Sequence, residues 1–121
     1  MYAVLRKSWS SSTAYKSCQS EWVSEDPSYG QCAITATLVY DMFGGSIHRI
    51  RVEGGGTYYF NKITGQYVDL TREQFDLYNI EVAYEPNETM QREYCCKNPD
   101  TNARYRQLQR NIIAYLKNNE D

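Results

Sequence analysis

The 121-residue sequence lacks most of the residue patterns that announce a function. It has a single histidine, His48, and no cysteines at C-x-x-C spacing, so the ligand set of a zinc or other transition-metal site is missing. Neither a metal nor a cofactor is expected. Its four cysteines, Cys18, Cys32, Cys95 and Cys96, are few and include an adjacent pair, unlike the disulfide frameworks of small secreted domains. An excess of one charge is also lacking. Thirteen Lys and Arg against fifteen Asp and Glu give a net charge of −2 and a pI near 5.4, which excludes a strongly basic nucleic-acid footprint. No apolar run approaches the roughly 18 residues that span a bilayer. The N-terminus carries no apolar stretch after its charges and does not read as a secretory signal. The expected compartment is the cytoplasm.

What the chain does have is apolar and aromatic surface. Hydrophobic residues make up 41%, and twelve tyrosines dominate the aromatics. That suits one core and one domain over residues 1–121. Residues 1–30 are polar and Ser-rich. Ser10, Ser11 and Ser12 are candidate caps of a short helix, Trp9 and Trp22 candidate packing anchors, and Pro27–Gly30 a turn. Residues 31–43 place apolar side chains on nearly every face, with Ile34, Leu38 and Met42 at helical spacing. This predicts a buried central helix ended by Gly44-Gly45. The period then changes to alternation. Strands are predicted from Ile47 to Val52, Thr57 to Ile63 and Gln66 to Leu70, an antiparallel meander turning at Glu53–Gly56 and Thr64-Gly65. With the turn centred on Gly55, Val52 faces Tyr58 and His48 faces Lys62, roughly 13 Å along the strand from Tyr58. That makes His48 a packing or exposed residue.

Thr71 is the candidate cap of a helical turn with Gln74 three residues on. Residues 76–86 read as irregular or extended, and Asn87 as the cap of a short helix running to about Tyr94. Asn98-Pro99-Asp100 is a helix start. The helix after it is amphipathic, with Tyr105, Leu108, Ile112 and Leu116 on one stripe. Arg104, Arg106, Arg110 and Lys117 read as its solvated face. The fold class is therefore α+β: a buried helix on an antiparallel sheet of three or more strands, with a C-terminal amphipathic helix.

One placement carries chemistry. Cys32 opens the buried helix, where free amide groups and the helix dipole stabilise an anion. A thiol there is expected to have a lowered pKa and to act as a nucleophile given a base. The alternative is a small buried hydrophobe. A Cys-bearing helix followed by an antiparallel sheet is the order of papain-like thiol enzymes, which take a base histidine from one strand and an orienting Asp or Asn from the next. Asp69 stands where the orienter would, or else caps the turn at Thr71.

The segments Leu5, Ser8-Trp9-Ser10, Thr13-Ala14, Trp22, Pro27 to Ala36, Asp41 to Gly45, Tyr59-Phe60-Asn61, Val68 to Phe75, Asn98 to Thr101 and Arg104-Tyr105 resemble the YunG-like proteins. These are small bacterial and phage-associated proteins without an assigned biochemical function. Their motif order suggests a compact papain-like fold. The resemblance implies a second strand reading Ser-His-aromatic-aromatic-Asn. Here that segment is Thr57-Tyr58-Tyr59-Phe60-Asn61, with Tyr58 in the histidine position. A phenol, with a pKa near 10, is a poor general base at neutral pH.

The sequence supports three functional readings. The first is a non-catalytic papain-like protein that keeps Cys32 and Asp69 and binds a protein or small molecule through a cleft including Gln31, Tyr58, Phe60 and Asn61. The second is an active cysteine hydrolase or transferase using Cys32. The third is a phage or mobile-element inhibitor of a host defence complex, in the manner of anti-CRISPR proteins.

Overall fold

The computed structural model describes residues 2–52, 56–77, 80–95 and 97–118. Its helices are α1 (Tyr2–Ser8), α2 (Cys32–Phe43), α3 (Glu73–Asp76), α4 (Arg92–Cys95) and α5 (Pro99–Asn118). Its strands are β1 (Ser46–Val52), β2 (Gly56–Ile63), β3 (Gln66–Val68) and β4 (Glu88–Met90). They form one antiparallel sheet in the order β3-β2-β1-β4. The architecture is α+β, with a helical layer on the sheet and α5 closing the chain.

The two faces of the sheet are built from alternate residues. Ile47, Tyr59 and Asn61 point toward α2: Ile47 packs with Ala36, and the Asn61 amide donates to the Ala36 carbonyl at 2.9 Å. His48, Ile50, Tyr58 and Phe60 form the other face, covered by Tyr67, Phe75, Val82 and Tyr84. The third cluster lies between helices. Leu5 and Trp9 from the α1 region meet Ile34 and Leu38 of α2 and Tyr105 and Leu108 of α5. Burying a side chain such as Leu108 is worth about 1.5–3 kcal/mol, so this cluster fixes α1 and α5 on α2.

Several expectations change. The hairpin register pairs Val52 with Gly56, Ile50 with Tyr58 and His48 with Phe60, shifted by two residues from a turn centred on Gly55. His48 therefore lies on the Tyr58 face, one alternate position away. The turn residues 53–55 themselves lie outside the described residues. Residues 88–90 are an edge strand on β1, not part of a helix capped by Asn87; the helix starts only at Arg92. The sequence around Ser10–Ser12 does not begin a helix but follows one, α1. Thr71 does not cap α3 with its side chain; its hydroxyl is turned to Tyr58 and Asp69.

The central helix is buried over Ile34–Val39, but Met42 and Phe43 are about half exposed. It ends at Gly44 with φ +77°. In α5, Asn98 does cap the first turn through the Asp100 amide, at 2.8 Å. Arg104 is not on a solvated face. It is buried, donating to the Thr13 carbonyl at 3.1 Å and to Asp100 at 3.2 Å, while Leu116 is half exposed.

Candidate functional site

Cys32 owes its position to the loop before it. Gly30 takes φ +75°, and a Cβ there would lie 2.9 Å from the Cys18 Cβ, so only glycine lets this turn close on residues 14–18. Gln31, fully buried, accepts from Thr13 Oγ1 at 2.8 Å and donates to the Ser10 carbonyl at 3.0 Å. Ser28 donates to the Thr71 carbonyl at 3.1 Å and accepts the Gln74 amide at 2.9 Å. The helix start is thus tied to the α3 segment.

Among the described residues, β3 pairs with β2 over Asn61–Ile63, and no strand covers this edge from Gly56 to Phe60. Cys32 docks there. Its thiol donates toward the Thr57 carbonyl at 3.9 Å, and the Tyr59 amide hydrogen-bonds the sulfur. The helix start therefore meets the edge of the strand and not the middle of the sheet face. From this edge the half-buried Cys32 also packs against the Tyr58 cluster.

Desolvation in this position pushes the thiol up to about 11, and the charge of Asp69 adds to the effect. The amides of Tyr59 and Ala33 and the charge of Arg104 act in the opposite direction. The Ala33 amide is the helix N-terminal contribution that the sequence predicts, but burial outweighs it. The expected lowered thiol pKa is thus reversed.

Beside Cys32 lies a carboxylate with four donors. Asp69 Oδ1 accepts the Tyr58 hydroxyl in a short contact, the Thr71 amide at 3.2 Å and the Thr71 hydroxyl at 3.3 Å. Oδ2 accepts the Tyr84 hydroxyl at 2.7 Å. The Tyr58 hydroxyl also lies 2.9 Å from Thr71 Oγ1. Phe75 stands edge-on to Tyr58, with ring centroids 4.6 Å apart, and seals the group. Burial, followed by the Asp69 charge and hydrogen bond, raises the Tyr58 phenol above its ordinary range. Burial also raises the Asp69 carboxyl, against the lowering effect of its donors.

His48 is engaged elsewhere. It stacks on Phe60 at 5.9 Å, with Nδ1 2.9 Å from Asn87 Oδ1 and Nε2 2.6 Å from Ser46 Oγ. Asn87 uses its amide nitrogen on the Tyr84 carbonyl at 2.8 Å, so its oxygen faces the ring. Nδ1 is then the donor and Nε2 accepts from Ser46. No free ring nitrogen faces the thiol.

The structure thus gathers Cys32, Tyr58, Asp69 and Phe60 into one neighbourhood. The amides of Gln31 and Asn61 point instead into internal hydrogen bonds. Sequence reasoning missed Thr71 and Tyr84 as members of the Asp69 group. The spacing to Gln74 marks Thr71 as a helix cap, and Tyr84 falls in an aperiodic segment with no signal of its own. Among the described residues, no group of three His, Cys, Asp or Glu is placed to hold a metal ion. Cys18 and Cys32 are free thiols, and no helix among the described residues is long and apolar enough to cross a membrane.

A helix-borne cysteine on an antiparallel sheet, linked through a tyrosine to a strand-end aspartate, defines an α+β protein with a thiol corner. The family model described as YunG protein matches residues 1–117, and the chain belongs to that family. The chain is similar to the "Uncharacterized protein YunG" of Bacillus subtilis (strain 168), at 42% identity over 72 residues. That alignment covers 60% of this chain and 57% of the relative, so the chain spans little more than half the length of the curated relative it matches. No solved structure matches.

Proposed function

We propose that this chain is a cytoplasmic, papain-like binding protein whose thiol corner does not catalyse. The observation that carries this reading is the Tyr58 hydroxyl donated to Asp69. A thiol hydrolase needs a group that removes the S–H proton and returns it to the leaving group. Tyr58 stands in that place as a proton donor with its phenol pKa raised, so it stays protonated and is too weak a base near neutral pH to take the thiol proton. Asp69 then acts as the acceptor that holds two phenols and Thr71, and it has no imidazole to orient. The Cys32 thiol, pushed up to about 11, stays protonated at neutral pH.

Binding suits a groove whose lining includes none of Cys32, Tyr58 and Asp69. The groove, of about 720 Å³, is lined by Arg49, Arg51, Glu85, Glu88 and Tyr94, among others, offering both signs of charge and an aromatic ring. That combination fits a protein or small-molecule partner.

The test is a panel of ester, thioester and amide substrates assayed with the wild-type protein and Cys32→Ala. The expected result is no turnover that depends on Cys32. Turnover abolished by Cys32→Ala would overturn the reading. Tyr58→His is the complementary variant: restored thiol reactivity would mark the scaffold as one that lacks only its base.

A further inference from the structure

The 720 Å³ groove lies where a strand ends early. β4 pairs with β1 over Ile47–Arg49 and stops at Glu88. Carried on to Arg51, the register would set Pro86 opposite it, and a proline has no N–H to give a strand partner. Residues 83–87 instead line the groove together with Ile50, Arg51, Thr57 and Tyr94.

The direction of the Arg51 backbone follows from the hairpins. Ile63 and Gln66 flank the two-residue turn Thr64-Gly65, which makes them a hydrogen-bonded pair. Alternation turns the backbone groups of Asn61, Tyr59 and Thr57 to the same edge of β2, where Cys32 meets the Tyr59 amide and the Thr57 carbonyl. Tyr58 and Phe60 turn theirs to β1, so Ile50 and His48 are their hydrogen-bonded partners. The backbone groups of Ile47, Arg49 and Arg51 therefore point away from β2. β4 takes those of Ile47 and Arg49, and none of the described residues takes those of Arg51. An open strand edge of this kind is a template for a further strand.

The charge beside this edge selects the partner. Arg49 and Glu88 are cross-strand neighbours, and the Arg49 guanidinium donates to both Glu88 carboxylate oxygens, at 2.9 and 3.2 Å. Arg51, two residues on and exposed, makes no ion pair or side-chain hydrogen bond among the described residues. Its charge reaches Glu88, which Arg49 already holds. We infer that the groove takes an extended peptide that pairs with β1 at Arg51, with a Glu or Asp of the peptide opposite Arg51, repeating the Arg49–Glu88 pair one step along the strand. That residue's N–H donates to the Arg51 carbonyl and its own carbonyl accepts the Arg51 N–H, the pairing that Pro86 cannot complete. A second copy of β1 is a poor occupant, because pairing two such edges about Arg51 sets arginine against arginine. The inference rests on the groove being the binding surface and not on the state of Cys32, which lies outside it.

The experiment passes pools of capped pentapeptides, Ac-X-X-Glu-X-X-NH2 and the same with Gln or Lys at the centre, over the immobilised full chain and reads the retained peptides by mass spectrometry. The Glu pool should be retained over the other two, and Arg51→Glu should reverse the preference toward the Lys pool. For the best-retained peptide, N-methylation of the central Glu should weaken binding to the wild type by about tenfold or more. N-methylation of the next residue should cost less than about threefold, since alternate amides point away from β1. Equal or no retention of the pools, a preference unchanged by Arg51→Glu, or equal effects of the two N-methylations would each overturn the inference. The N-methyl comparison uses the wild-type protein and decides the matter even if Arg51→Glu fails to fold. Cys32-dependent turnover would overturn the reading of the thiol corner alone, so the two failures are distinguishable.

Discussion

Asp69 and Asp26 are two carboxylates of one molecule, both held above their ordinary titration range mainly by burial. Asp69 accepts hydrogen bonds from Tyr58, Tyr84 and both donors of Thr71. Asp26 has a buried oxygen, Oδ1, without a hydrogen-bond partner among the described residues. A saturated buried acid holds a fold together, whereas an unsaturated one costs stability. By this criterion the corner that resembles a catalytic site is a structural knot, and the loop before it carries an uncompensated acid.

The largest effect should come from loosening the knot. Asp69→Ala strands the Tyr58 and Tyr84 hydroxyls in a half-buried site, and a loss of about 2–3 kcal/mol in denaturant unfolding is expected. A loss below about 0.5 kcal/mol would place Asp69 among ordinary surface residues. Gly30→Ala comes next. The residue must hold φ +75° and its new methyl meets Cys18, so a loss of about 2 kcal/mol is expected from the same measurement.

Asp26→Asn should act in the opposite direction, with a gain of about 1 kcal/mol at neutral pH, because the charge it removes is an unpaired one. The gain depends on pH. The Asp26 carboxyl of the folded chain titrates above the unfolded value near 3.9, so between the two values the folded state holds a proton that the unfolded state has lost. Stability from this group falls as pH rises from about 4 through the folded value. The difference between Asp26→Asn and wild type should therefore be near zero at pH 3 and grow as pH rises toward neutrality. A gain that shrinks with rising pH would show that Asp26 is paired after all. Asp41 behaves in reverse: its carboxyl is lowered chiefly by Arg92, so its contribution is present above its unfolded value and lost as pH falls through the folded one.

The sequence made the frame of this comparison legible but not its contents. The change from helical to alternating periodicity located α2 and the hairpin, and Asn98-Pro99-Asp100 located the start of α5, because these signals are local. β4 was not legible: Glu88-Thr89-Met90 is too short to show a period and becomes a strand only by pairing with Ile47–Arg49. Arg104 read as solvated because burial of a charged side chain depends on a carbonyl, that of Thr13, 91 residues away in the chain.

The convergence of Cys32, Tyr58 and Asp69 could be argued from motif order, but the state of the thiol could not. Helix position favours the thiolate and desolvation opposes it, and only the tertiary placement of Cys32 at the open edge of β2 decides between them. The Asp26 surroundings left no pattern in the sequence, since they join the aperiodic loop before Cys32 to α3 and to Ile80 beyond it.

The central claim is that Cys32 is an unactivated thiol beside a tyrosine that cannot act as its base. It is tested most directly by the pH dependence of Cys32 alkylation with iodoacetamide, followed by mass spectrometry of the Cys32 peptide. The account predicts a reaction that rises with a midpoint near 11 and, at neutral pH, runs about 100-fold slower than an ordinary exposed thiol. A midpoint at or below about 7, with rapid labelling at neutral pH, would show an activated thiolate and contradict it.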